Sequence, residues 1–90
     1  MNNNIKYTIS ENIIRSKLDK LFYILNLETG KYLKINSSSN FIFDCIEDDL
    51  CSGEIINSIA QTYNISHELA EKELNLFTDK AIELKLINNK

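Results

Sequence analysis

A chain of 90 residues has room for one domain. At 43% hydrophobic and 26% charged residues, it has the composition of a folded globule rather than of a disordered segment. Its apolar runs stop at four or five residues, far short of the roughly 20 that a membrane helix needs. No basic stretch followed by an apolar one marks a secretory signal, so no membrane role and a cytoplasmic location are expected. Ten Lys and Arg are scattered among thirteen Asp and Glu, giving a net charge of −3, which argues against nucleic acid as the partner.

Met1-Asn2-Asn3-Asn4 is polar and expected to fray. Ile5, Tyr7 and Ile9 alternate with polar residues, as in a short strand or an extended arm; residues 1–11 are therefore set apart from the domain proper, 12–88. Asn12 to Leu18 is rich in β-branched residues and reads as a strand, with a turn at Asp19-Lys20. Leu21 to Leu27 is an almost unbroken apolar and aromatic run, which predicts a strand covered on both faces. Glu28-Thr29-Gly30-Lys31 predicts a tight hairpin with a bulge at the glycine, and Tyr32-Leu33-Lys34-Ile35 returns as the third strand of an antiparallel meander. Alternation sets Leu33 and Ile35 on one face and Tyr32 and Lys34 on the other.

The period then changes. Asn36 to Asn40 offers several N-caps. Phe41, Ile42, Cys45, Ile46 and Leu50 recur at helical spacing. A second helix opens at Ser52-Gly53-Glu54, buries Ile55, Ile56, Ile59, Ala60 and Tyr63, and stops at Asn64, a residue that tolerates left-handed backbone. Ser66 caps a third helix whose stripe of Ala70, Leu74, Phe77, Ala81 and Leu84 faces the core. About 100° around that helix lies a second flank, Leu69, Leu76 and Ile87, interrupted by Glu73 and Lys80; it needs cover from the sheet or from a ligand. The fold class expected is α+β: a three-stranded antiparallel sheet followed by three helices, in the manner of a winged helix-turn-helix.

The chemical inventory is thin. One His (His67) and two Cys (Cys45 and Cys51, five residues between them) match no metal-binding spacing, and two glycines cannot build a phosphate loop. No catalytic residue, metal or cofactor is expected, and binding is the better class than enzyme. Cys45 reads as a small core residue, and Cys51 as a thiol near a turn. The acidic run Glu47-Asp48-Asp49 sits awkwardly at a helix C-terminus, where the dipole disfavours negative charge.

The segment Ile24 to Asn36, with its Thr29-Gly30-Lys31-Tyr32 core, resembles the hairpin of PqqD-like proteins, which reads roughly apolar-apolar-Asp-x-x-Thr-Gly-x-Tyr-x-x-Leu-Asn. The order of elements after it agrees, so the resemblance spans about residues 12 to 88. Asn26 stands for the usual Asp, Ile35 for the usual Leu, and Lys85 for the Gly that often precedes the terminal apolar pair. The resemblance implies a recognition element for ribosomally made, post-translationally modified peptides. Such an element binds the leader of a precursor peptide by strand addition and delivers it to a modifying enzyme. The implied contacts are Tyr32, Leu33, Lys34 and Ile35 on the edge strand, and Leu69, Glu73, Leu76, Phe77 and Lys80 on the last helix. With no fused domain in this sequence, the enzyme is expected to be a separate polypeptide, either a radical-SAM maturase or the leader protease of a lasso-peptide pathway. A monomer or a homodimer fits equally.

Two rival readings share the architecture. A winged-helix DNA-binding regulator should carry a basic recognition helix and wing. Here the last helix has Glu68, Glu71, Glu73, Asp79 and Glu83 against Lys72, Lys80 and Lys85. A dimerisation module would instead use the bare edge strand, or swap the N-terminal segment.

Overall fold

The computed structural model describes residues 4–90; for Met1 to Asn3, the expected fraying lies outside the described residues. In chain order the elements are β1 (Tyr7–Ile9), β2 (Ile13–Leu18), β3 (Leu21–Asn26), β4 (Tyr32–Ile35), α1 (Ser37–Glu47), α2 (Ser52–Tyr63), α3 (His67–Glu83) and β5 (Ile87–Asn89). β2, β3 and β4 form the expected antiparallel sheet, in that spatial order. β1 pairs with β5 in a separate two-stranded sheet, with Thr8 opposite Asn88.

Turn chemistry sets the register of the meander. Asp19 and Lys20 both take positive φ (51° and 69°), the left-handed pair that a two-residue hairpin requires. In the next hairpin Asn26 Oδ1 accepts from the amides of Glu28 (2.9 Å) and Thr29 (3.3 Å), and Gly30 sits at φ 72°. The Gly30 amide donates to the Asn26 carbonyl at 2.7 Å, and the Asn26 amide donates to the Lys31 carbonyl at 2.9 Å. Two residues thus oppose one, which is the bulge expected at the glycine. Asn26 needs only an acceptor oxygen for this work, so it can stand where PqqD-like hairpins usually have aspartate without changing the turn.

The helices begin and end where their caps dictate. Asn36 Oδ1 accepts from the Ser39 amide at 2.8 Å, Glu54 Oε1 accepts from the Cys51 amide at 2.9 Å, and Ser66 Oγ accepts from the Leu69 amide at 3.1 Å. α2 stops on Asn64 at φ 53°. α3 ends earlier than its sequence pattern suggests. Lys85 turns left-handed (φ 62°), its amide reaches the Ile82 carbonyl at 3.0 Å, and the Leu86 amide reaches that of Ala81 at 2.8 Å. Ile87 therefore leaves the helical flank and is fully buried in β5. The short Ile-Asn-Asn sequence of β5 carries no strand pattern; β1 supplies its pairing.

The core lies among the three helices, the two-stranded sheet and one face of the meander. Ile24 is the one strand residue of β2 to β4 that is fully buried, beside Phe43, Ile55, Leu74 and Ile87. This corrects the expectation that β3 is covered on both faces. Leu21 and Leu27 are exposed. Tyr23 and Leu25 are half-buried, Tyr23 edge-on to Tyr32 with ring centres 6.3 Å apart. The apolar arc of α1 is also wider than a single stripe. Phe43, outside the pattern of Phe41, Ile42, Cys45, Ile46 and Leu50, is 1% exposed, because α1 is packed by the sheet as well as by the other helices.

Three of the carboxylates at the acidic end of α1 are paired within the chain. Arg15 on β2 donates to Asp44 and Glu47, each at 2.7 Å, and Asp49 accepts from Lys90 (2.8 Å) and Lys6 (3.1 Å).

Candidate functional site

A groove of about 470 Å³ runs between β4 and α3. Leu33 and Ile35 contribute from the strand; Leu69, Glu73, Leu76, Phe77 and Lys80 contribute from the helix; Ile42, Phe43 and Ile59 reach it from α1 and α2. Phe77 is half-buried, with its ring edge-on to that of Phe43 at 5.1 Å, which fixes it as part of the groove's floor. Leu33, Leu69 and Leu76 remain 40%, 43% and 59% exposed. An apolar trough left this open on a small domain marks a surface meant to be covered.

Antiparallel pairing decides which backbone groups of β4 are free. Asn26 and Lys31 are a hydrogen-bonded pair, and bonded pairs alternate along the ladder. With Ile24 opposite Leu33 and Phe22 opposite Ile35, those residues turn their N–H and C=O groups to β3. Tyr32 and Lys34 turn theirs to the open edge. β3 confirms the phase from its other side, where the Leu27 amide bonds the Asn12 carbonyl at 2.8 Å. The edge beside the groove therefore offers two donors and two acceptors, all from Tyr32 and Lys34.

Seven of the nine residues expected from the sequence line the groove: Leu33, Ile35, Leu69, Glu73, Leu76, Phe77 and Lys80. The Tyr32 and Lys34 side chains lie on the opposite sheet face, so these two residues face the edge with backbone alone. Sequence reasoning missed Tyr63, Ile65, Leu84 and, at one end of the trough, Asn36, Ser38 and Ser39. Helical spacing assigns Tyr63 and Leu84 to core stripes, yet they are 42% and 39% exposed. Periodicity separates an apolar face from a polar one and cannot tell a core face from an empty groove.

A family model described as coenzyme PQQ synthesis protein D matches residues 22–87, more than half of the chain. The chain belongs to the PqqD family. Among solved structures, one described as "TbiB1 in Complex with the TbiA(beta) Leader Peptide" has the same fold, with a TM-score of 0.81 over 90% of this chain and 94% of that one, at 22% identity. No curated protein matches the chain. Neither likeness supports a DNA-binding regulator. Among the described residues, no helix of this PqqD-family chain is long and apolar enough to cross a membrane.

Proposed function

We infer that this protein is a non-catalytic recognition subunit that binds the leader of a ribosomally made precursor peptide and presents it to a separate modifying enzyme. The observation that carries the reading is the pairing of an open strand edge with an apolar trough on the same side of β4. Family membership and the leader-peptide complex of the structural neighbour support it. The recognition unit is residues 12–88, and its partner enzyme is a radical-SAM maturase or a leader protease.

An incoming strand would bond the outward groups of Tyr32 and Lys34. Four such bonds, at about 1 kcal/mol net each, are largely offset by ordering the peptide, at roughly 2–5 kcal/mol. Affinity therefore rests on side chains seated in the trough, each worth about 1.5–3 kcal/mol when an aliphatic or aromatic group is fully buried. The backbone supplies register and the trough supplies identity.

Fluorescence polarisation of a labelled candidate leader tests this with two proline variants. Lys34→Pro removes a donor that points to the open edge, so the protein should stay folded by circular dichroism and lose the peptide. Leu33→Pro removes a donor to β3 and should disorder the meander itself. Undiminished binding by folded Lys34→Pro protein would rule out strand addition at this edge.

A further inference from the structure

Glu73 and Lys80 stand on the groove flank of α3, both exposed, and neither forms an ion pair among the described residues. Elsewhere Arg15 is taken up by Asp44 and Glu47, and Asp49 by Lys6 and Lys90. On their own helix the groove-side neighbours of Glu73 three and four residues away are Leu69, Leu76 and Phe77, and those of Lys80 are Leu76, Phe77 and Leu84. Each charge is thus set against an apolar wall with no internal partner, one acidic and one basic, with Leu76 and Phe77 between them.

Seven residues of helix separate the two Cα positions by about 10.5 Å. Groove-facing residues of an added strand recur every second position, about 6.8 Å apart, so four residues span about 13.6 Å. The reach of the Glu and Lys side chains closes the difference.

Resting on the strand-addition reading above, we propose that Glu73 and Lys80 select the charge order and register of the bound peptide, whose direction is set by its pairing with β4. The preferred ligand has a basic residue and an acidic residue four positions apart on its groove-facing side, with an aliphatic or aromatic residue midway. The basic residue lies against Glu73, the acidic one against Lys80, and the middle one over Leu76 and Phe77. A peptide of the opposite charge order, or one slipped by one residue, loses these pairings or turns them repulsive. Matched and order-reversed peptides should differ about tenfold in affinity, from two matched pairs gained and two repulsive ones avoided at a partly exposed site. The difference should shrink as salt rises.

The test is selection from a displayed library of random 12-residue peptides, on the wild-type protein and on the Glu73→Lys/Lys80→Glu double variant. Wild type should enrich one order of the charge-x-apolar-x-charge pattern, and the double variant the reverse order. Synthetic peptides of both orders, measured against both proteins, then give the fold-changes. Enriched peptides that are lost on Lys34→Pro but show no charge order, or the same order on both proteins, would overturn the charge selection and leave strand addition standing. Enriched peptides that bind Lys34→Pro undiminished would overturn strand addition itself, and the charge selection with it.

Discussion

The guanidinium of Arg15 lies 5.3 Å from the centre of the Phe43 ring. That contact joins β2 to the helix that floors the groove, since Phe43 in turn holds Phe77 edge-on. The same guanidinium donates to Asn40 Oδ1, Asp44 and Glu47, each at 2.7 Å, and its side chain is only 16% exposed. Nε alone is buried without a partner. A nearly buried arginine shared by three acceptor residues and a ring is a positioning clamp rather than a surface charge.

Arg15→Ala should therefore destabilise the fold by about 2 kcal/mol, from charge-assisted hydrogen bonds and the ring contact together. Glu47→Gln, at a carboxylate that is itself 56% exposed, should cost less than about 0.5 kcal/mol. Urea unfolding of both variants checks the ratio. Equal and small losses would show that the sheet is held to α1 by apolar packing alone.

Leu76 and Phe77 are adjacent on α3 and should separate recognition from stability. Leu76 is 59% exposed, so Leu76→Ser should change stability by no more than about 0.5 kcal/mol while weakening peptide binding about tenfold. Phe77 is half-buried against Phe43, and Phe77→Ala should cost about 2–3 kcal/mol of stability as well as affinity. Thermal melts paired with binding isotherms distinguish the two. If Leu76→Ser bound normally, the outer lip of the trough would not be a peptide contact.

Lys85 holds left-handed backbone at φ 62°, a conformation that costs a non-glycine residue about 1–2 kcal/mol. PqqD-like sequences often place glycine there. Lys85→Gly relieves the strain but adds freedom to the unfolded chain, so the net gain should be about 0.5–1 kcal/mol. For a domain of this size that is a rise of roughly 3–6 °C in Tm. A lower Tm would mean that the lysine side chain contributes more than its backbone strain costs.

The meander, the three helices and the bulged hairpin were legible because each rests on local chemistry: Asn26 and Gly30 at the turn, Asn36 and Ser66 at caps, and the switch from two-residue to helical period at Asn36. What was not legible depends on distant pairing. β5 exists because β1 lies beside it, and nothing in Ile87-Asn88-Asn89 announces a strand. Phe43 is buried because a sheet covers a side of α1 that helical periodicity assigns to solvent. The acidic end of α1 is tolerated because Arg15, Lys6 and Lys90, remote in sequence, converge on it. The candidate groove was half legible: the flank of α3 declared itself through Leu69 and Leu76, whereas Tyr63 and Leu84 looked like core until the trough between them was seen to be open.

Asp49 ties both ends of the described chain to the turn after α1. Hydrogen bonds from Lys90 and then from Lys6, with the charges of both lysines, hold its carboxyl below the ordinary aspartate value. A carboxylate depressed in the folded state adds stability that is whole above the unfolded value and is lost as pH falls through the folded one, here a window below about pH 4. Asp49→Asn keeps a residue suited to the left-handed backbone at φ 60° and removes only the charge. Its melting temperature should fall short of the wild type's at neutral pH and converge with it as the solution is acidified through that window. Carbon-detected NMR titration of Asp49 should show the depressed midpoint directly, moving up in Lys90→Gln and in Lys6→Gln. A midpoint unmoved by either variant would mean that the two lysines do not hold the termini to this turn in solution.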